Sequence, residues 1–290
     1  MKCNVVGAVL VVFFSFSIHA LSLSGSAFNE SLGGSSVAYP WSVNQSVMIN
    51  PAYPGIVKCY AGNSFFNFNY FVSQDRKDLH SYSWNVTFAG VSYSHIQNRY
   101  LDINNKTITF SRSFDQLPFG EMLSIGTSFR WQESAGDVDE GIDVGFLMMA
   151  RDNLAIGYTW KNVMAPEING APEPWSMIIG AGYKPMEKIG LTVNAHLYDD
   201  DDSQVSGGVE YNLKDFLSLR VGYTADSRWV VGKSVSIKGY MLSLSYEFAR
   251  KGYDDNTLSI SFSTGKYNYS PGWFTPDDAP SDDDDYSEEE

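Results

Sequence analysis

Between about residues 56 and 265 the chain changes polarity at almost every step. Leu123, Ile125, Phe129 and Trp131 interleave with Ser124, Gly126, Ser128 and Arg130, and Leu154, Ile156, Tyr158 and Trp160 with Ala155, Gly157, Thr159 and Lys161. Further on, Leu242, Leu244, Tyr246 and Phe248 alternate with Ser243, Ser245 and Glu247, and Leu258, Ile260 and Phe262 with Ser259, Ser261 and Ser263. A period of two sends successive side chains to opposite faces of a strand, whereas a helix needs apolar residues three and four apart. No comparable helical stretch is present. The expected class is all-β.

Fourteen such runs are predicted, over 59–72, 80–88, 90–97, 106–114, 121–132, 141–150, 153–162, 176–185, 189–198, 204–212, 216–225, 230–238, 240–248 and 257–265. The links alternate in length. Short ones include Ala89-Gly90, Arg151-Asp152-Asn153 and Lys238-Gly239-Tyr240, and longer ones are expected over 98–105, 133–140, 163–175 and 249–256. Tight turns at one end and longer loops at the other are the rhythm of an outer-membrane barrel.

A soluble β-sandwich alternates too, so the identity of each face has to decide. The polar face is built from Ser, Gly, Thr and Asn with few charges, which suits a lumen wall. Aromatics stand near strand ends on the apolar face, at Trp131, Trp160, Tyr183, Tyr198, Tyr223 and Phe248, where interfacial girdles belong. Mean hydropathy is −0.21 although 15% of residues are aromatic, as expected when each strand gives only half its residues to lipid. Lipid offers backbone groups no partner, so the sheet has to close. The expectation is a closed antiparallel transmembrane β-barrel of about 14 strands in a cell outer membrane, with outer-membrane lipid around it.

The ends read differently. Met1 to Ala20 carries one positive charge, an apolar run from Val5 to Phe16 and a small residue at its close, the pattern of a signal peptide. With Cys3 removed, Cys59 is the single thiol, which excludes an internally cross-linked domain. Nine of the 34 acidic residues lie between Asp277 and Glu290, a self-repelling run expected to stay unfolded. A formal charge of −14 without a basic patch argues against a nucleic-acid partner. The divisions are thus 1–20 signal peptide, 21–55 an N-terminal segment, 56–265 barrel and 266–290 acidic tail.

Residues 21–55 lack alternation and contain Gly33-Gly34-Ser35-Ser36-Val37-Ala38-Tyr39 and Val47-Met48-Ile49-Asn50-Pro51-Ala52-Tyr53-Pro54-Gly55. This segment resembles that of the FadL and PorV-like outer-membrane proteins, in which Gly-Gly and Asn-Pro-Ala-Gly precede the first strand. Gly33-Gly34 and Asn50-Pro51-Ala52 match, while Tyr53 and Pro54 intervene before Gly55. The stretches Leu154–Val163, Ile179–Pro185, Gly208–Tyr211 and Leu217–Tyr223 extend the similarity along the chain. The resemblance implies that the N-terminal segment folds into the lumen as a hatch. It implies either passage of hydrophobic small molecules, with a hydrophobic ligand, or a PorV-like scaffold or shuttle in protein secretion and surface attachment, with a secreted protein as partner. Independently, Pro51 and Pro54 would keep this segment out of a central strand.

No nucleophile elbow, phosphate loop or paired-His motif occurs, and His80, His95 and His196 stand singly, so neither enzyme nor metal nor cofactor is expected. The acidic groups Asp199–Asp202 and Asp137, Asp139, Glu140 and Asp143 are expected to be solvated loops, because calcium spacing is absent. Candidate hatch or ligand residues are Asn50, Pro51, Ala52, Phe65, Phe71 and Leu147; candidate lumen charges are Arg130, Lys161, Arg220 and Glu247.

Overall fold

The computed structural model describes residues 26–32, 34–40, 48–56, 65–73, 80–98, 103–117, 120–134, 137–164, 167–168, 171–172, 175–198, 203–225, 227–237, 239–248 and 256–264. The signal-peptide reading, Cys59, the loop Asp199–Asp202 and the acidic tail lie outside the described residues.

Among the described residues a short helix, α1 (Ala27–Glu30), and a helical stretch over 53–56 precede sixteen strands. The first seven are β1 (Phe65–Ser73), β2 (His80–Phe88), β3 (Val91–Asn98), β4 (Ile103–Leu117), β5 (Gly120–Ser134), β6 (Asp137–Arg151) and β7 (Leu154–Lys161). A two-stranded hairpin, β8 (Glu167–Ile168) and β9 (Ala171–Pro172), stands apart in the next link. Seven more follow: β10 (Ser176–Met186), β11 (Ile189–Tyr198), β12 (Gln204–Lys214), β13 (Leu217–Tyr223), β14 (Trp229–Ile237), β15 (Tyr240–Glu247) and β16 (Thr257–Thr264).

Fourteen of these strands make a closed antiparallel barrel in which every strand pairs with its neighbour in sequence, β7 passing directly to β10. Closure is made by β1 and β16, in register from Phe66↔Thr264 to Ser73↔Thr257. No sheet edge is left for lipid to strip of partners, as the backbone argument requires. Links at one end are tight. At Ala89-Gly90 both residues have positive φ, 48° and 86°, which matches a two-residue hairpin turn to the strand twist. The chain enters β1 and leaves β16 at this same turn end.

The apolar residues face outward. A belt of side chains in register crosses the wall through Tyr183, Leu191, Val209, Val221, Val231 and Tyr246. Val209, Val221 and Val231 are 46%, 47% and 39% exposed, a degree of apolar exposure that only lipid makes favourable. The alternate residues point inward and are buried: Ser243, Ser245, Ser259, Ser261 and Ser263 on β15 and β16, Asn67 and Asn69 on β1, and Ser124 and Ser128 on β5.

Two of the expected long links prove short. β4, β5 and β6 are 15 residues each, so 133–140 belongs almost wholly to strand, and β4 begins at Ile103 rather than 106. At ~3.4 Å per residue these strands run roughly 50 Å, beyond an apolar band of ~25 Å. Outside that band both faces meet water, alternation vanishes, and a pattern-based reading sees a loop. Asp137, Asp139, Glu140 and Asp143 therefore lie in β6 and not in a loop.

Candidate functional site

The described parts of the N-terminal segment lie inside the barrel, and glycines on the inner wall make room for them. Gly126 pairs with Gly145 and Gly157 with Gly180 across adjacent strands. A Cβ at Gly126 would strike the Pro51 carbonyl, one at Gly145 Asn50, one at Gly157 the Val37 carbonyl, one at Gly208 Leu32 and one at Gly232 Ser31. These glycines form a track from β14 round to β5, with backbone directly against backbone at Gly126, Gly157 and Gly208 and the Asn50 and Ser31 side chains seated on Gly145 and Gly232. Tyr39 fits under Gly190 in the same way.

The segment is tied to this track at three places. In α1 the Ser26 hydroxyl caps the helix by accepting from the Asn29 N–H at 3.1 Å, and Oε2 of Glu30 accepts from Ser245 at 3.1 Å and from Ser259. The second tie is a buried ionic cluster. Arg220 on β13 stands in register with Glu210 on β12, and its Nη1 lies 3.0 Å from Glu210 Oε1. Its Nε donates to the Ser31 hydroxyl at 2.7 Å, its Nη1 also to Ser218 at 3.1 Å and its Nη2 to Ser234. The Tyr39 hydroxyl donates to the other carboxylate oxygen of Glu210 at 2.5 Å. A guanidinium only 2% exposed needs this many acceptors, because an unpaired buried charge is severely penalised.

The third tie is Asn50. Its amide donates to the carbonyls of Val37 at 3.0 Å and of Phe146 at 2.9 Å, while its Oδ1 accepts from the Ala52 N–H at 2.9 Å. One side chain thus joins both arms of the segment to β6. Tyr53 joins the arms again: its hydroxyl donates to the Ser36 carbonyl at 2.7 Å and accepts from the Tyr39 N–H at 2.6 Å. Beyond Pro51, the Ala52 carbonyl accepts from Ser124 at 2.7 Å.

Beneath this arm the wall is apolar. Met122, Leu147, Met149, Ala155 and Ile178, from β5, β6, β7 and β10, pack against Val37, Ala38, Ile49, Ala52, Tyr53 and Ile56 of the segment. The lumen is therefore two-sided, with a greasy strip under the segment and, across β15, β16, β1, β2 and β3, a surface mainly of hydroxyl and amide groups, broken by Met241, Phe65 and Phe71.

Asn50, Pro51, Ala52 and Leu147 are brought together by this arrangement. Phe65 and Phe71 are buried on the inner face of β1, and β2 to β5 separate them from Leu147. Arg220 and Glu247 are buried and paired, the latter with Arg228 Nε at 2.8 Å. Arg130 is half-buried and donates to Gln132 at 3.2 Å and to Asn162, whose own N–H reaches Asp143 at 2.9 Å. Lys161 is half-buried at the loop end of β7. His95 lies 2.7 Å from Asn104 and His196 2.9 Å from Ser206; among the described residues no group of three metal-ligating side chains occurs. Tyr39, Tyr53, Ser31 and Glu210 escaped the reading of the sequence. Equal counting from the turn between β12 and β13 sets Tyr211 opposite Arg220; a register shift between Asn212 and Lys214 moves Glu210 there instead, and the sequence carries no signal for it.

No known family model and no curated protein matches the chain. Solved structures do. The toluene transporter TbuX of Ralstonia pickettii superposes with a TM-score of 0.59 at 9% identity, over 83% of this chain and 98% of that one. The toluene transporter TodX of Pseudomonas putida gives 0.59 at 11% identity, over 84% and 99%. A TodX variant described as a monoaromatic hydrocarbon channel gives 0.56 at 11%, over 83% and 98%. At such identities the likeness establishes architecture: the chain has the fold of an outer-membrane β-barrel.

Proposed function

We propose that this protein is an outer-membrane conduit for hydrophobic small molecules, with the N-terminal segment as its movable closure. One observation carries the reading: the apolar strip of the lumen, Met122, Leu147, Met149, Ala155 and Ile178, is the strip that the segment covers. If the arm around Asn50-Pro51-Ala52 moves aside, a continuous apolar surface on four neighbouring strands is uncovered on the inner wall. Such a strip holds a hydrocarbon without a specific hydrogen-bonding set, which is how apolar ligands are usually held. The toluene transporters of the same architecture and the FadL-like Asn50-Pro51-Ala52 sequence support this reading. The residues do conduction, and no bond chemistry is assigned to them.

Native mass spectrometry of the detergent-purified full chain, after delipidation, tests it. The expected result is a stoichiometric hydrophobic molecule that is retained by the wild type and lost when Leu147 and Met149 are both replaced by Asn. An empty barrel that keeps a second polypeptide bound would overturn the conduit and favour the PorV-like scaffold.

A further inference from the structure

Tyr53 is one of the two residues that part this chain from the Asn-Pro-Ala-Gly pattern. It is fully buried, and its ring belongs to the same apolar cluster as Met122, Leu147, Met149 and Ala155 of the wall. At the far end of the ring the hydroxyl meets two backbone groups of the other arm. It donates to the Ser36 carbonyl at 2.7 Å and accepts from the Tyr39 N–H at 2.6 Å. That N–H also lies 3.2 Å from the Ser36 carbonyl, so an acceptor and a donor stand side by side and one hydroxyl bridges both. An apolar seat with this pair at its end is a seat for a phenol, and Tyr53 fills it.

The two arms are not held alike. In the arm over 26–40, the Glu30 carboxylate accepts from Ser245 and Ser259, Arg220 donates to Ser31, and Tyr39 donates to Glu210. These bonds involve ionised groups and are roughly twice as strong as neutral ones. The arm over 48–56 has no charged residue, and its bonds to the wall, Asn50 to the Phe146 carbonyl and Ser124 to the Ala52 carbonyl, join neutral groups. When the closure moves, the 48–56 arm therefore leaves first. Ser36 and Tyr39 stay behind, and the seat of Tyr53 opens between the fixed arm and the apolar strip.

A free phenol restores each contact that Tyr53 gives up, because its hydroxyl both donates and accepts. A hydrocarbon of the same size offers neither backbone group a partner, and a site built to bind a hydroxyl discriminates against the analogue lacking it. A carboxylate fits no better, since it has no proton for the Ser36 carbonyl. We propose that the ligand class of this conduit is uncharged phenols, with Tyr53 as a built-in phenol that holds the seat until a free one displaces it. The assignment presupposes the conduit and narrows what passes through it.

Amide hydrogen exchange of the full chain in detergent tests this with two probes at matched free concentrations. One is 4-methylphenol, which carries the ring and hydroxyl of a tyrosine side chain, and the other is toluene, the same molecule without the hydroxyl. In the wild type, 4-methylphenol should raise exchange across 48–56 and leave 26–40 protected. It should act at about a tenfold lower concentration than toluene, or lower still, as a hydroxyl with two hydrogen bonds implies. Tyr53→Phe keeps the ring and loses the hydroxyl, so its arm should yield to several-fold less 4-methylphenol. Tyr53→Gly empties the seat: exchange at the Tyr39 amide should rise, and 4-methylphenol, not toluene, should restore protection. Folded-barrel gel mobility should persist in both variants. The proposal falls if toluene acts at the same concentration as 4-methylphenol, if 26–40 opens together with 48–56, or if 4-methylphenol leaves exchange in the folded wild type unchanged. The first of these results leaves the conduit standing, whereas a barrel that retains no hydrophobe in the mass spectrometer sinks the conduit itself.

Discussion

Tyr39 and Glu210, 171 positions apart in sequence, meet inside the barrel at 2.5 Å, with the Tyr39 hydroxyl donating to the carboxylate that also holds Arg220. The contact makes the docking of the N-terminal segment depend on an ion pair of the wall. Tyr39→Phe removes one hydrogen bond to a charged group, worth ~1.5–3 kcal/mol. The segment should loosen while the barrel stays closed. Hydrogen exchange should rise across 26–40 and leave β12 and β13 protected. Glu210→Ala should do more, since it strands a buried guanidinium at a cost of ~3–5 kcal/mol. Exchange should then rise in β13 as well.

Gly126 and Gly157 serve as tests of the glycine track. A valine at either puts a Cβ into a backbone carbonyl of the segment, that of Pro51 or of Val37. Backbone cannot swing away as a side-chain tip can, so the segment should be expelled locally. Limited proteolysis should then cut within 34–56 in Gly126→Val and Gly157→Val but not in the wild type. The gel mobility of the folded barrel should persist, because both positions lie in paired strands whose ladders need no glycine.

For Asn50, replacement by Leu keeps the approximate volume and removes three hydrogen bonds, leaving the Val37 and Phe146 carbonyls without this partner. The expected cost is ~2–4 kcal/mol. Asn50→Asp should be worse than Asn50→Leu, because a carboxylate would face the two carbonyls that the amide now satisfies. Denaturant titration followed by exchange at 48–56 distinguishes the two.

The outer belt carries its own prediction. Val221 faces lipid beside the midpoint of a seven-residue strand, so Val221→Arg should cost ~2–4 kcal/mol of folding free energy in vesicles. A polar substitution on the inward neighbour Gly222 would perturb packing without that lipid penalty. Equal losses at the two sites would contradict the assignment of faces.

All fourteen barrel strands were legible, because period two survives wherever one face meets lipid and the other the lumen. Trp160 and Lys161 fall on opposite faces, as their alternation says. The extensions of β4 to β6 were not legible, since Asn104, Glu133 and Glu140 are polar residues in stretches that show no alternation of polarity. The site was half legible. Asn50-Pro51-Ala52 and Leu147 could be picked out singly, but their meeting depends on curvature that brings β6 beside a segment about a hundred residues earlier. The glycines were visible as small inward residues. Their alignment into a track follows from strand register, which a single sequence encodes only through its turns. Tyr53, the departure from the Asn-Pro-Ala-Gly pattern, proves to be the residue whose hydroxyl ties the two arms together.

The two ends of the described chain meet in one further respect. Glu30 finds its partner Ser259 across 229 residues, on the last strand of the barrel. This early part of the chain thus cannot complete its contacts until the last strand of the barrel is in place, and contacts this distant in sequence form slowly. Until then the segment has only an open, curling sheet to lie on. Because its ties run from β5 round to β16, it offers that sheet a surface to wrap against. The segment that fills the lumen is then also a mould for the barrel that surrounds it.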